Sequence, residues 1–553
     1  MSASNPIQNS PPEDDADELL NADDAGEEIL QDDDHPMDGE DDAEDDPQEE
    51  IQFQNDSAAH FDSHTDSIFC IAQHPLYPSL IVTGGGDDVA YLFDVSLKDD
   101  EPGPLLPTSY ESNPQPKGER KSIPPLQKLD GHTDSVNAVA FTQPSGEYIV
   151  TAGLDGQLRA WSTSSSSSSS PSTPPVYTFL SYSSEVQEIN WLSPCPSLTH
   201  PNTVAFGAND GSVWIYTINA SDSASPLTII QAYYLHTESC TAGAWTPDGN
   251  FLATVSEDSS FHVYDVWGEA ANAGITTAGS GQAIVSLTAS DQRFAVEGGL
   301  YSVAISPEGT IVAVGGAGGN IRIIGIPRLG ATPTSTSALS GAKGAGGGAK
   351  KNPGAGARKA GTPSTTTSSH PAPTTVTGTG THLASLSSQS DSIETLSFSP
   401  PPLTLLASGS VDGSIALFDV AHRFALRRHI ADAHDGFAVV KVDFVTGEAG
   451  KGHFLTSAAM DGVVRRWDGR GATAPPPPSR TTTAAATAAA AAPMTVAGQS
   501  PGQSQGCVRE WRGHRGDGEG GGVLGFVHGE RGGERIVTAG DDGVALVFRA
   551  DFA

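Results

Sequence analysis

One arrangement of apolar and polar residues recurs along most of the chain. The stretch 148–161 (YIVTAGLDGQLRAW) contains an apolar segment, a tight Asp-Gly turn and a second segment in which apolar and polar residues alternate. This pattern is typical of a β-hairpin. The sequence predicts seven further hairpins of this kind, at 80–94, 203–216, 251–265, 405–419, 454–468, 535–548 and, in a degenerate form, 311–324.

Most of these hairpins follow another alternating apolar segment, such as 136–141 (VNAVAF) or 393–398 (IETLSF). With the N-terminal segment and five low-complexity segments set aside, eight repeats share about 340 residues, or roughly 43 each. That length matches the ~40–45-residue period of a four-stranded propeller blade. The low-complexity segments are rich in Ser, Gly, Ala, Thr and Pro and are predicted to be disordered inserts near 97–124, 162–175, 268–292, 330–381 and 471–504.

The repeats resemble those of the WD-repeat (WD40) family. The second repeat carries Gly131-His132 before its first strand and Trp161 at its end, and the seventh carries His434 and Trp467-Asp468. The resemblance implies an all-β, eight-bladed WD40 β-propeller over 51–553. Since the last repeat ends almost at the end of the sequence, we expect 51–61 to supply the outer strand of the last blade and close the ring.

In WD-repeat proteins a His, a strand Ser or Thr, the turn Asp and the Trp form a buried hydrogen-bonded set within a blade. Buried Asp and His side chains are tolerated only when they satisfy one another, so the resemblance assigns the matching residues a structural role. His64, His236 and His514 fit the His position of three further blades, whereas the third, fifth and sixth repeats lack it and Tyr182 stands near that position in the third. The two complete sets are His132, Thr151, Asp155 and Trp161, and His434, Ser457, Asp461 and Trp467.

Charge indicates the class of partner. The chain has 67 Asp and Glu against 29 Lys and Arg, a net charge of −38. Residues 1–59 hold 22 of the acidic residues and no Lys or Arg, so we predict a disordered acidic tail over 1–50. The rest of the chain is also acidic. This balance argues against direct binding to nucleic acid or to an anionic membrane, and favours a basic protein partner.

The sequence contains no phosphate-binding loop, zinc-protease motif, nucleophile elbow or CxxC pair. We therefore expect a non-enzymatic protein with no catalytic residue, metal or cofactor. The four cysteines are far apart, and neither a signal peptide nor an apolar run of membrane-spanning length is present. These features predict a cytoplasmic protein. A weakly basic cluster within 343–359 resembles a nuclear-localisation signal, so an additional nuclear population is an open alternative.

Residues just after the blade His lie on one exposed face of WD-repeat propellers. Asp66, Asp134 and Glu238 follow such histidines by two places, Asp391 aligns with them, and Asp435 follows His434 directly. Acids recurring around a ring would concentrate negative potential over the central opening and attract a basic partner; ordinary solvated surface acids are the alternative. Further acids near the starts of the third and eighth blades are Glu185, Glu188, Asp517 and Glu519. Candidate apolar anchors, for which a position in the core is the alternative, are Phe69, Tyr182, Tyr301 and Phe437.

Short stretches of sequence in the first two repeats identify the family more specifically than the general repeat pattern does. The stretches 64–69 (HTDSIF), 83–88 (TGGGDD) and 129–136 (LDGHTDSV), with the acidic N-terminus and eight repeats, resemble the angio-associated migratory cell protein family. Its fungal members are dedicated chaperones of a large-subunit ribosomal protein, universal large-subunit protein sixteen. The 330–381 insert and Gly298, at the fifth blade's acid position, depart from the family pattern.

The resemblance implies a monomeric chaperone. Its acidic face would capture the basic N-terminal segment of that newly made ribosomal protein and support 60S subunit assembly. Two alternatives stay open: a WD-repeat chaperone of another basic client (a different ribosomal protein or a histone), and a signalling or cell-migration scaffold or ubiquitin-ligase adaptor.

Overall fold

The computed structural model describes residues 55–96, 121–163, 175–273, 283–327, 380–446, 451–470, 506–514, 521–529 and 534–550. Contacts divide the chain into two units, 1–52 and 53–553, and every described residue belongs to the second. The predicted acidic tail and most of the predicted inserts lie outside the described residues. No helix in the described part of the chain is long and apolar enough to cross a membrane.

The described residues form strands almost throughout. In the first half these are β1 (Ala59–Phe61), β2 (Ile68–Gln73), β3 (Leu80–Gly85), β4 (Ala90–Asp94), β5 (Lys121–Ser122), β6 (Gln127–Leu129), β7 (Val136–Phe141), β8 (Tyr148–Gly153), β9 (Leu158–Thr163), β10 (Tyr177–Ser183), β11 (Ile189–Pro194), β12 (Thr203–Ala208), β13 (Val213–Ile218), β14 (Leu227–Tyr233), β15 (Cys240–Trp245), β16 (Phe251–Ser256) and β17 (Phe261–Asp265).

The second half starts with one short helix and contains one 3₁₀ turn. Its elements are α1 (Glu269–Asn272), β18 (Ala283–Leu287), β19 (Leu300–Ile305), β20 (Ile311–Gly316), the 3₁₀ turn (Ala317–Gly319), β21 (Asn320–Gly325), β22 (Thr381–Ser387), β23 (Ile393–Phe398), β24 (Leu405–Ser410), β25 (Ile415–Asp419), β26 (Ala425–Ile430), β27 (Val439–Phe444), β28 (Phe454–Ala459), β29 (Val463–Asp468), β30 (Cys507–Arg512), β31 (Val523–His528), β32 (Arg535–Gly540) and β33 (Ala545–Arg549).

These strands form eight sheets, the blades of a propeller, numbered here along the chain, and the strands pair antiparallel except for β1 with β5. Blade 1 is β2-β3-β4-β6, blades 2 to 7 are the successive strand quartets from β7 to β30, and blade 8 is β31-β32-β33-β1 with β5 added at its edge. The innermost strand of each blade contacts those of both neighbours, which closes the circle. The eight predicted hairpins are the second and third strands of the eight blades, so the predicted eight-bladed all-β fold is confirmed.

The ring closes as the sequence predicts. β1 pairs antiparallel with β33, with Ala59 opposite Val547 and Phe61 opposite Ala545. Phe61 is fully buried between blades 8 and 1, where its ring stacks on Phe93 at a centroid distance of 4.1 Å. The apolar core lies between adjacent blades in this way all around the ring. Each sheet buries both of its faces against its neighbours, which explains the almost continuously buried second strands.

Two predicted insert boundaries are wrong. The predicted insert 268–292 contains α1 and β18, the outer strand of blade 4, whose Ile284 and Val285 are buried. The predicted insert 97–124 ends in β5, which pairs in parallel with β1. A five-residue strand inside a Gly-, Ala- and Ser-rich stretch hardly changes the local composition, so a compositional criterion overlooks it.

Side chains on the innermost strands bond the blades to one another. Asn137 Nδ2 donates to the backbone oxygens of Ile189 (3.1 Å) and Asn190 (2.9 Å) across the boundary between blades 2 and 3. Asn190 Nδ2 donates in turn to Ser239 Oγ (2.8 Å) and to the backbone oxygen of Cys240 (3.1 Å) in blade 4. These bonds fix the angle between neighbouring blades and therefore the positions of the loops above them.

We predict that Asn190→Leu lowers the free energy of unfolding by about 1–3 kcal/mol, because it leaves partners of the lost amide unsatisfied at a blade boundary. Urea denaturation followed by tryptophan fluorescence measures the change. Gln231→Ala, at an exposed position of β14, is the control and should change stability by less than about 0.5 kcal/mol. Equal midpoints for the two variants would contradict a stabilising role for the inter-blade amide.

Candidate functional site

One face of the ring carries two kinds of connection. Because the four strands of a blade alternate in direction, the loop entering each innermost strand and the turn between the second and third strands lie on the same side. A backbone hydrogen bond joins the two in each blade, for example from Gly86 N to Ser67 O (2.9 Å) and from Leu154 N to Ser135 O (2.9 Å). We call this side the upper face. The turns after the innermost strands, and those between the third and fourth strands, lie on the opposite side.

Blade 2 shows how the upper face is fixed. His132 Nε2 bonds Thr151 Oγ1 at 2.7 Å, and its Nδ1 lies 3.1 Å from Asp155 Oδ1. Asp155 also accepts from the backbone N–H groups of Thr133 (2.9 Å) and Gln157 (3.0 Å). Although burial opposes the effect, these hydrogen bonds lower the pKa of Asp155. One buried carboxylate thus holds the entering loop and the hairpin turn together.

Trp161 completes the blade 2 set by packing rather than by a described hydrogen bond. It is almost fully buried in the core between blades 1 and 2. The sequence-predicted set His132, Thr151, Asp155 and Trp161 therefore lies within one blade.

Blade 7 contains the same arrangement with an added cation. His434 Nε2 bonds Ser457 Oγ at 2.7 Å, Trp467 Nε1 donates to the same hydroxyl at 2.8 Å, and His434 Nδ1 lies 3.0 Å from Asp461 Oδ2. The buried Arg465 donates from Nη1 to Asp461 Oδ2 at 2.7 Å. The structure therefore brings all four predicted blade 7 residues together.

The histidines of blades 1, 4 and 8 occupy equivalent positions. His64 bonds Thr83 Oγ1 (3.0 Å) and Asp87, and His514 bonds Thr538 Oγ1 (2.8 Å) and Asp542. In blade 4 the ring of His236 bonds Thr254 and Ser260, while Asp258 holds the loop backbone at Thr237.

Blade 6 uses a residue that the sequence analysis missed. Gln389 takes the His position, bonded to Ser408 Oγ through its side-chain oxygen and to Ser414 through its side-chain nitrogen. Asp412 holds the adjacent loop by accepting from Ser390 N at 2.7 Å. The available signal was spacing, since Gln389 precedes the first strand of its blade by four residues, as His132 does.

The interpretation of blade 3 requires a correction. Tyr182 lies on β10, the outer strand of blade 2, and is 57% exposed, so it does not occupy the His position of blade 3. That position, four residues before β11, holds the exposed Glu185. Counting four residues back from the start of β11 identifies Glu185. Searching for an aromatic side chain in place of His leads instead to Tyr182, which is wrong.

Four acids recur at one position of the upper face. Asp66, Asp134, Glu238 and Asp391 each lie two residues after the His or Gln of their blade, and all four are exposed. Three of them also share a local geometry, because each carboxylate accepts from the backbone N–H of the serine that follows, at 2.7–2.8 Å. We call Asp66, Asp134, Glu238 and Asp391 the acidic ring. Their backbone positions are set by the buried networks beneath them, so the charges are preorganised.

The other two predicted acids differ from the acidic ring. Asp435, at positive φ, is half-exposed and lies 3.2 Å from Arg465 Nη2, so a neighbouring cation partly offsets its charge. Glu185 is exposed but belongs to the His position of blade 3. Asp517 and Glu519 lie outside the described residues.

Two further titratable groups, Glu394 and Tyr301, lie near acids of the upper face. Burial, and next the charge of Asp391, raise the pKa of the Glu394 carboxyl. Burial, and next the charges of Glu257 and Glu394, raise the pKa of Tyr301. Repulsion between neighbouring carboxylates makes a cation from a partner favourable at this place. Glu394 carries no sequence signal beyond its nearness to Asp391.

Exposed aromatic rings accompany these acids. Phe69 is 40% exposed, and a side chain added at Gly86 would meet both Asp66 and Phe69 within 3.3 Å, which places the two side by side. Phe437 is 38% exposed beside Asp435, whereas the hydroxyl of Tyr301 donates to Gly298 O at 2.6 Å. The described residues contain no group of three or more His, Cys, Asp or Glu side chains placed to hold a metal ion.

The chain is similar to known propellers in sequence and in structure. The model of the WD domain, G-beta repeat, matches residues 123–162, 227–265, 289–324 and 380–419. The crystal structure of Sqt1 from Chaetomium thermophilum is 45% identical and superposes with a TM-score of 0.68, covering 90% of this chain and 98% of that one. A second structure of that protein, bound to the N-terminus of the ribosomal protein L10, is 44% identical and covers 90% of this chain and all of that one, again with a TM-score of 0.68.

Curated relatives are more distant. The ribosome assembly protein SQT1 of Saccharomyces cerevisiae is 29% identical over 50% of this chain, and the match spans 55% of the yeast protein, about half its length. The human angio-associated migratory cell protein is 23% identical over 75% of this chain and 71% of its own length. These similarities confirm the family that the short stretches of sequence in the first two repeats indicated. With 45% identity to a relative that it covers almost completely, the chain belongs to the Sqt1 family of WD40 propellers.

Proposed function

We propose that this protein is a non-enzymatic chaperone that binds the basic N-terminal segment of a newly made large-subunit ribosomal protein, the counterpart of L10, and supports 60S subunit assembly. The observation that carries the proposal is the Chaetomium relative, bound to the N-terminus of L10 in its crystal structure. We expect the protein to act as a monomer in the cytoplasm. Cell fractionation would measure the fraction of the protein in the nucleus.

The chemistry of the upper face supports this proposal. A basic segment needs carboxylates on a fixed frame, and the acidic ring supplies them from four blades. Each exposed ion pair is worth only ~0–1 kcal/mol, so tight binding needs several pairs together with apolar contacts such as Phe69 or Phe437 could offer. The negative field also speeds the encounter with a cationic chain. Held in this way, the client is shielded from aggregation and from anionic competitors.

The first experiment is affinity capture of the full chain from its own cells at low and at moderate salt, with identification of the bound proteins. The proposal predicts one dominant basic ribosomal protein, the L10 counterpart, which is lost as the salt concentration rises. Histones or another ribosomal protein in its place would transfer the chaperone role to a different client. A salt-stable set of acidic or neutral signalling proteins would instead favour a scaffold.

We predict that the triple variant Asp66→Lys, Asp134→Lys and Asp391→Lys loses about 100-fold in affinity for the basic segment at low salt, because three attractive contacts become repulsive. Calorimetric titration measures the loss. The melting temperature should stay nearly constant, since all three side chains are exposed.

Two control variants accompany this prediction. Replacing Asp66, Asp134 and Asp391 by Asn keeps a hydrogen-bond acceptor for the following serine and should cause an intermediate loss. Replacing Asp222, Asp248 and Glu308 by Lys makes the same charge change at exposed positions on the opposite side of the ring. An equal loss of affinity in this second control would show that net charge, rather than the acidic ring, determines binding.

A further inference from the structure

Two exposed tyrosines mark one sector of the upper rim. Tyr182 lies at the upper end of β10 in blade 2 and is 57% exposed, and Tyr234, directly after β14 in blade 3, is 63% exposed. Each lies three or four residues before an acid of the next blade, Glu185 and Glu238 respectively. Exposed rings that lie beside further apolar side chains and acids, rather than singly, mark a candidate contact surface for a partner.

Both rings are held by neighbours. The Arg159 guanidinium lies 4.7 Å from the centroid of Phe179 and 5.6 Å from that of Tyr182, so this pair of rings already stacks with one guanidinium. Tyr234 meets Trp214 edge to face at 5.9 Å, and Trp214 Nε1 donates to Ser212 Oγ at 2.8 Å. The tyrosines therefore have little orientational freedom to lose on binding.

The two tyrosines are linked through one strand of blade 3, β13. The hydroxyl of Tyr216, in blade 3, lies 2.9 Å from Ser183 Oγ, the residue after Tyr182. Trp214, which meets Tyr234, lies on the same strand as Tyr216, two residues before it. The sector from Tyr182 through Glu185 to Tyr234 is therefore continuous, and it reaches the acidic ring at Glu238.

We propose that the basic client segment extends beyond the acidic ring across this sector, where Tyr182 and Tyr234 stack against its arginine or lysine side chains. Glu185 and Glu238 would pair with the same cations from the side. A positively charged group over an aromatic face gains about 0.5–1 kcal/mol at an exposed site. The two acids of this sector, Glu185 and Glu238, outnumber its one cation, Arg159, and this charge balance, together with continuity with the acidic ring, identifies the occupant as the client itself. This inference rests on the proposed function.

The test is a calorimetric titration of the full chain with a synthetic peptide of the N-terminal segment of its own L10 counterpart. The double variant Tyr182→Ala and Tyr234→Ala should weaken binding by about tenfold and leave the slope of log Kd against log salt almost unchanged. The double Tyr→Phe variant keeps both rings and should bind within about twofold of the parent. Tyr77→Ala is the matched control, because Tyr77 is 50% exposed but lies in the β2–β3 turn on the opposite side.

The outcomes separate the tyrosine contact from the chaperone function itself. If the tyrosine variant binds as tightly as the parent while the triple Lys variant of the acidic ring does not bind, the inference is overturned and the chaperone function stands. If Tyr77→Ala weakens binding as much as the double alanine variant, the sector is likewise not a specific contact. If the parent does not bind the peptide at all, the proposed function itself fails.

Discussion

A chain that lacks residues 1–62 should melt at a much lower temperature than the full chain, whereas a chain that lacks only residues 1–48 should melt at the same temperature. The first truncation removes β1, the outer strand of blade 8, and exposes the edge of β33. It also removes Phe61, which is fully buried against Phe93. Loss of one such ring alone typically costs about 3–5 kcal/mol.

Calorimetry on the two truncated proteins measures the difference. Since the shorter protein could fail to fold, Phe61→Ala in the full chain provides an independent reading and should lower the free energy of unfolding by about 3–5 kcal/mol. Phe69→Ala, at a 40% exposed ring nearby, is the matched control and should have a much smaller effect. Equal melting temperatures for the two truncated proteins would refute the proposed ring closure.

Acidification should destabilise the propeller strongly between pH 6.5 and pH 4. Burial lowers the pKa of His74, His262 and His528 from 6.5 to about 4 in each case, and burial with the neighbouring His262 lowers that of His236 to about 3. In the unfolded chain these groups take up protons once the pH falls below 6.5, but the folded state resists protonation until about pH 4. Each such histidine therefore stabilises the fold above pH 6.5 and loses about 3 kcal/mol of that contribution by pH 4.

His262→Phe tests this account. His262 is buried, with its ring 4.7 Å from that of His236 and 6.1 Å from that of Tyr264, so an aromatic replacement suits its surroundings. The variant should unfold at a lower pH than the parent while its stability at pH 8 changes little. His429→Phe, at an exposed position of β26, should leave the acid midpoint unchanged. An acid midpoint that does not move in His262→Phe would contradict the assignment.

The fold could be predicted from the sequence because its signals are local and repeated. Short turns rich in Asp and Gly, with Asp-Gly itself in five of the eight hairpins, and the alternating strands define each hairpin within about fifteen residues. The His, Thr and Asp of blade 2 lie at fixed spacings that the buried network requires. The sequence analysis missed Gln389 because a glutamine, rather than the expected histidine, makes the equivalent hydrogen bonds in blade 6. The sequence analysis missed β18 because this strand is short and the residues around it have the composition of a linker.

The candidate site was less predictable. The acidic ring follows from position, since Asp66, Asp134, Glu238 and Asp391 keep a constant offset from the buried network. Glu394 and the tyrosine sector depend on which blades become neighbours and on how outer strands end, and these properties arise only when the ring is assembled. The partial neutralisation of Asp435 likewise needs Arg465, thirty residues further along the chain, to fold back onto it.

The most direct test of the central claim is the affinity of the full chain for its own L10 N-terminal segment, measured across a range of salt concentrations. The account predicts binding that is tight at low salt, weakens steadily as salt rises, and is lost when Asp66, Asp134 and Asp391 become Lys. Binding that is indifferent both to salt and to these three substitutions would contradict capture of the client by the acidic ring.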